Sequence, residues 1–114
     1  MATTRLKEFN TVKNLIESFC TDHEIPCAYI EFDEDEYLTD KYLAWWDDET
    51  TNVLADNEVY ASIQNYKVAL HIGVVDKELE YAFEDYLNEN GYIWSKQPPV
   101  YVESEQMYEI VFSF

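Results

Sequence analysis

Apolar residues recur at helical spacing in two stretches of the chain. The first stretch predicts a helix from about Thr4 to Asp22, and its stripe consists of Phe9, Val12, Ile16, Phe19 and Cys20. The second consists of Leu79, Ala82, Phe83, Tyr86 and Leu87. Spacings of three and four place each set on one face of a helix. Asp76 precedes the second stripe as a good N-cap and Gly91 follows it as a left-handed stop, so this helix is the clearer prediction.

Elsewhere apolar and polar residues alternate, which is typical of half-buried strands. The pattern predicts strands at 27–32, at 42–46, at 58–74 as one strand or two joined at a bend, from Tyr92 until Pro98-Pro99, and at the C-terminus, where Tyr108, Ile110, Phe112 and Phe114 share a face. Asp47-Asp48-Glu49 is expected to end the second strand, and 50–57 is expected to be a loop. We therefore predict one α+β domain over residues 1–114, with a mostly antiparallel sheet of about four or five strands and two helices packed on one face.

The charge balance excludes several classes of partner. Asp and Glu number 24 against seven Lys and Arg, so the formal net charge is −17. Binding to nucleic acid depends on Lys and Arg that displace counterions from phosphates, so direct nucleic-acid binding is not expected. Anionic membrane surfaces are disfavoured for the same reason.

No apolar run approaches the roughly 20 residues of a membrane helix, and residues 1–5 lack the apolar stretch of a secretion signal.

The best metal candidate is the group Cys20, His23 and Cys27. Thiolate and imidazole are zinc ligands, but a structural zinc needs a fourth, and the other histidine, His71, lies in a predicted strand. Cys20 also continues the first apolar stripe, which favours a buried thiol. A disulfide between the two cysteines is conceivable, although intracellular thiols normally stay reduced. We expect no metal and no cofactor.

Motifs of catalysis are missing from the sequence. It contains no G-x-S-x-G, H-E-x-x-H or G-x-x-x-x-G-K pattern, and with glycine only at positions 73 and 91 a phosphate-binding loop is excluded. The acidic run Asp33-Glu34-Asp35-Glu36 has no glycine near it for a calcium loop, so a solvated turn is expected. We predict that the protein is not an enzyme.

Aromatic side chains are abundant and tend to anchor interfaces. Trp45 and Trp46 are neighbours on a predicted strand, so their indoles face opposite sides and only one can enter the core. The other covers the sheet or meets a partner. The interface candidates are Trp45, Trp46, Tyr60, Tyr101 and Tyr108.

The C-terminal half resembles a known family. Its order is the strand Tyr66 to His71, the helix Asp76 to Asn90, Gly91-Tyr92-Ile93-Trp94-Ser95-Lys96, the stretch Tyr101-Val102-Glu103-Ser104-Glu105-Gln106-Met107-Tyr108, and a closing strand to Phe114. This order is similar to that of the small neck and tail-completion proteins of long-tailed bacteriophages, and their tail-terminator members match best. The resemblance covers residues 58 to 114.

The resemblance implies a structural virion protein that assembles as a ring, typically a hexamer. Such a ring caps the completed tail tube, contacts the tail tube protein and offers its other face to head-completion proteins. A negative lumen would repel DNA phosphates. Candidates for that lining, or for pairing with basic partners, are Glu31, Asp33, Glu34, Asp35, Glu36, Asp47, Asp48 and Glu49.

The alternative function is an acidic DNA mimic that inhibits a host nuclease, restriction enzyme or CRISPR system. The net charge of −17 suits carboxylates that stand in for phosphates on a basic groove. Acids in regular rows on one face would favour it, and the sequence does not show such rows.

Overall fold

A computed structural model describes residues 4–30, 41–55 and 58–114. The elements in this part of the chain are β1 (Thr4–Leu6), α1 (Phe9–Asp22), β2 (Cys27–Tyr29), β3 (Lys41–Ala55), β4 (Glu58–Ile72), α2 (Lys77–Glu89), β5 (Ser95–Lys96), β6 (Val100–Val102) and β7 (Met107–Ser113). Neither helix has the length and apolar character that a bilayer crossing requires.

The strands form one mixed sheet in the order β2-β3-β4-β7-β5, with β1 beside β4 and β6 beside β7. Of the pairings between described strands, four are antiparallel and two, β1–β4 and β2–β3, are parallel. The predicted α+β class with a mostly antiparallel sheet is confirmed. The described residues contain seven strands instead of four or five.

Both helices pack on the same face of the sheet. Alternate residues of β4, from Tyr66 to Ile72, share the core with the buried residues of α1 and α2. The ring of Phe83 on α2 lies 5.0 Å from that of Phe19 on α1 and 4.8 Å from that of Phe112 on β7. Phe83 therefore joins the two helices to the sheet.

The second helix has the predicted ends. Asp76 is its N-cap, and its carboxylate accepts a hydrogen bond from the backbone N–H of Leu79 at 3.1 Å. The same carboxylate binds Lys41 Nζ at 2.8 Å. The hydrogen bond from Lys41, followed by that from Leu79, holds the pKa of Asp76 below its ordinary value. Gly91 adopts a φ of 79°, the left-handed conformation that ends many helices.

A buried carboxylate ties α2 to the sheet. Glu80 is 1% exposed, and its oxygens lie 2.6 Å from Lys96 Nζ on β5 and 3.0 Å from Lys77 Nζ. Lys96 also binds Glu84 at 2.9 Å. Burial alone would raise the pKa of Glu80, but the hydrogen bonds from the two lysines outweigh it and hold the pKa below its ordinary value. Glu80 is therefore charged within the packed fold.

The predicted start of the first helix is wrong. Thr4–Leu6 is a strand that pairs with Ala61–Ile63 of β4, and the helix begins only at Phe9. Tyr66 donates a hydrogen bond from its hydroxyl to the carbonyl of Lys7 at 2.8 Å, which holds the connection in place. Pairing with a distant strand thus overrides the helical pattern of these residues.

The predicted end of β3 is also wrong. The strand continues through Asp47 to Ala55, where a loop was expected. Pairing shifts after Asp47, so that Asp48 and Glu49 lie opposite the single residue Asn65. This bulge leaves the acidic side chains exposed while the ladder resumes at Thr50.

Two shorter predicted strands differ from the structure. Strand β2 ends at Tyr29, and Ile30 has a φ of 73° and is exposed. The strand expected from Tyr92 reduces to Ser95–Lys96, and β6 follows the two prolines. Trp94 Nε1 donates a hydrogen bond to Asn88 Oδ1 at 2.8 Å. This bond and the turn at Gly91 keep residues 92–94 close to the end of α2.

Candidate interaction surface

The hairpin of β3 and β4 projects past the helix-covered core. Each strand has 15 residues, which corresponds to about 50 Å of extended chain. The whole molecule measures 51 × 29 × 25 Å. Among the side chains of the hairpin whose burial is described, the last large buried ones are Trp45 and Tyr66. We call the part beyond them the arm: Asp47–Ala55 of β3, Glu58–Asn65 of β4, and β1.

The arm tip carries an exposed apolar pair. Leu54 and Val59 are cross-strand partners, and they are 66% and 43% exposed. Leu6 of β1, which pairs with Ile63, is also exposed. Beyond the residues that pair with β1, the arm is a two-stranded ribbon, and such ribbons are marginally stable alone. A partner that covers the arm would therefore bury additional apolar surface.

The base of the arm is acidic. Asp47, Asp48 and Glu49 are all exposed. Asp47 accepts a hydrogen bond from the hydroxyl of Tyr29, and Asp48 lies 3.8 Å from Lys67 Nζ. Asn65 donates to the carbonyl oxygen of Glu49 at 2.7 Å and so holds the bulge. The acids Glu31, Asp33, Glu34, Asp35 and Glu36 lie outside the described residues.

A shallow cleft of about 340 Å³ lies where the arm meets the body. Glu49 and Asn65 line it from the arm, Lys7 lines it from the connection after β1, and the C-terminal part of the chain contributes Ile93, Trp94 and Phe114. Ile93 is 94% exposed, an unusual position for a large apolar side chain. The cleft thus has an apolar rim that is separate from the arm tip.

The aromatic interface candidates occupy different environments. Trp45 is 2% exposed, so it belongs to the core and offers no surface to a partner. Trp46 is half-buried on the opposite face of β3. Tyr101 is exposed, and its ring packs against that of the half-buried Tyr108 at 5.2 Å. Tyr60 lies on β4, and its side chain is outside the described set.

A polar cluster lies on the face of the sheet away from the helices. His71 is buried, with Nδ1 3.3 Å from Glu105 and Nε2 3.3 Å from Glu109. Tyr42 stacks on the imidazole at 4.3 Å and donates its hydroxyl to Glu105 at 2.5 Å. Burial, and then the hydrogen bond to Glu105, raise the pKa of Tyr42, so its hydroxyl stays protonated.

This cluster ties three strands together. Tyr42, His71 and Glu109 are directly paired across β3, β4 and β7. The two carboxylates lie on opposite nitrogens of the ring, so the groups do not converge on one point. Within the described residues, no group of three or more His, Cys, Asp or Glu side chains is arranged to hold a metal.

The candidate zinc group is divided between two environments. The His23 ring stacks on Phe19 at 4.3 Å. Cys20 and Cys27 are both free thiols, and they hydrogen-bond to one another. The hydrogen bond from Cys20 lowers the pKa of Cys27, whereas the pKa of Cys20 is raised by that hydrogen bond and by burial.

Iodoacetamide is expected to alkylate Cys27 before Cys20, because the thiolate is the reactive form. Cys20→Ala removes the donor that stabilises the Cys27 thiolate, so it should slow alkylation of Cys27 several-fold. Peptide mass spectrometry over a time course measures both rates. Thr21→Ala, an exposed position on the same helical turn, is the control. An unchanged or faster rate in Cys20→Ala would contradict the assignment.

Two strands of the arm, β1 and the continuation of β3, differ from the sequence prediction, whereas β4 lies within the strand predicted at 58–74. The acids at 47–49 predict a strand end, although the β-branched residues Thr50, Thr51 and Val53 that follow favour a strand.

Comparisons with known proteins identify no relative. No family model, no curated protein and no solved structure matches this chain.

Proposed function

We propose that the chain is a structural subunit that acts by docking, as a tail-terminator or tail-completion protein in a ring at the head-proximal end of a phage tail tube. The observation that carries this proposal is the arm, which leaves the core and exposes the pair Leu54 and Val59. The resemblance of residues 58 to 114 to the neck and tail-completion proteins supports the same function.

The exposed apolar groups favour a head-to-tail contact between copies. Such a contact needs two different surfaces on each subunit and closes into a ring when the rotation allows it. The arm tip is one apolar surface, and the cleft rim at Ile93 is a second. We infer that the tip of one copy packs against the Ile93 cleft of the next.

The ring gives the acidic arm base a physical role. Where Asp47, Asp48 and Glu49 face a channel, their carboxylates repel DNA phosphates and keep passing DNA from adhering. The ring's outer contacts would then be with the tail tube protein and head-completion proteins.

Native mass spectrometry and negative-stain imaging test the proposal. The wild-type chain should form closed rings of one subunit number. Leu54→Asp and Ile93→Asp each place a carboxylate in the same inferred contact, so each variant alone should remain monomeric. Val74→Asp changes an equally exposed apolar residue outside both surfaces, and it should leave the rings intact.

Mixing the two variants gives the sharper result. Leu54→Asp keeps an intact cleft and Ile93→Asp keeps an intact tip, so one contact can form between them. The mixture should therefore contain heterodimers and no rings. A wild-type chain that stays monomeric at every concentration overturns the proposal. Salt-sensitive inhibition of a nuclease by such a monomer would support a DNA mimic instead.

A further inference from the structure

Among the described strands, the outer edge of β3 has a neighbour over only a small part of its length. Strand β2 pairs only with Leu43–Trp45, and the last bond on that side runs from the N–H of Ile30 to the carbonyl of Trp45 at 2.7 Å. Among the described strands, only β4 pairs with β3 from Asp47 to Ala55, on the inner side. Unpaired backbone groups of this kind accept an added strand.

A second copy of this chain is a poor occupant of that edge. The edge from Asp47 to Ala55 contains three acids and no lysine or arginine, so the same edge of a second copy has no cation to pair with them. The chain also has few cations to offer, with seven Lys and Arg against 24 acids. Four of its lysines already contact acids, namely Lys41, Lys67, Lys77 and Lys96.

We propose that the edge of β3 from Asp47 to Leu54 binds an extended, lysine- or arginine-rich segment of a different protein by strand addition. Backbone hydrogen bonds to the edge would supply affinity, and charge complementarity to the acids would select the partner. This contact shares Leu54 with the arm tip and Glu49 with the cleft, but it uses the backbone edge of β3 and does not involve Ile93.

The order of side chains along the edge defines the segment further. The acids lie at the base, and the exposed Leu54 lies near the tip. Antiparallel pairing is the more stable ladder. In that orientation the bound segment carries an apolar residue toward its N-terminal end and basic residues toward its C-terminal end.

Fluorescence anisotropy with synthetic peptides tests the proposal on the full chain. The probe is an eight-residue peptide of alternating Thr and Val with two lysines near its C-terminus. A second peptide carries glutamates in place of the lysines, and a third is the lysine peptide with N-methylated backbone amides. Only the unmodified lysine peptide should bind well.

A charge swap assigns the site. Asp47→Lys/Glu49→Lys should weaken binding of the lysine peptide roughly tenfold, as expected for two exposed charge pairs, and should gain binding of the glutamate peptide. Asp85→Lys/Glu89→Lys changes net charge equally on an exposed part of α2 and is the matched control. Far-UV circular dichroism checks that both variants are folded.

Three outcomes would overturn the proposal. Equal weakening by the two double variants means that net charge alone attracts the peptide. Unchanged binding of the N-methylated peptide means that no strand is added. If the Asp47→Lys/Glu49→Lys variant does not bind the glutamate peptide, the acids at the base of the arm are not the site. Loss of rings in the Ile93→Asp variant with retained peptide binding would separate the two contacts, because Ile93 lies outside the edge of β3.

Discussion

Replacing Phe83 with alanine is expected to lower the free energy of unfolding by about 3–5 kcal/mol. Phe83 is fully buried, and its ring meets Phe19 and Phe112 edge to face. Alanine would leave a cavity where α1, α2 and β7 meet and would remove both ring contacts. Since domains of this kind are stable by only about 5–15 kcal/mol, the loss is a large part of the total.

Urea unfolding followed by circular dichroism measures this effect, at one fixed protein concentration because assembly also stabilises the fold. The control is Tyr81→Ala on the same helix, where the ring is 53% exposed and the change should stay within about 0.5 kcal/mol. A Phe83→Ala loss no larger than that of the control would show that α2 does not pack on the sheet through this ring.

Glu80→Gln is expected to cost about 3 kcal/mol at neutral pH, because it removes the charge that two lysines surround in a buried site. The side chain keeps its shape, so packing changes little. Lys96 retains Glu84, which limits the loss. Asp85→Asn, at an exposed position on the same helix, should change stability by less than about 0.5 kcal/mol.

The effect of Glu80→Gln depends on pH in a defined direction. The pKa of Glu80 lies below its ordinary value in the folded state, so the unfolded chain takes up the proton first as pH falls. The stabilisation is complete above the ordinary glutamate pKa of about 4.3 and is lost as pH falls through the lower folded value. Urea unfolding of both proteins across this range should therefore converge in acid, and a gap independent of pH would contradict the charged state.

Local patterns predicted the parts of the fold that local interactions build. The cap at Asp76, the stripe through Phe83 and the stop at Gly91 lie within one helix, and all three are found. The alternation in β4 and β7 also gave the correct buried faces, since period two places every second side chain on the core side.

Errors occur where a distant partner decides the conformation. Thr4–Leu6 is extended because β4 lies beside it, and Asp47 to Glu49 stay in a strand because Asn65 holds their bulge. Neither Ala61–Ile63 nor Asn65 is near these residues in sequence. The sequence names the acids at 47–49 as lumen- or partner-facing candidates, but it does not predict the strand that carries them.

The sequence by itself determined the fold class, the two amphipathic helices, the buried faces of the long strands and the strongly negative charge, because composition and short-range periodicity encode all of these. Only the tertiary structure decided how far β3 extends, how the described strands pair along their edges, and which polar side chains approach one another across elements, as Glu80 does with Lys96 and His71 with Glu105 and Glu109. These features depend on register and distance between residues far apart in the chain, and a pattern read along one segment contains neither.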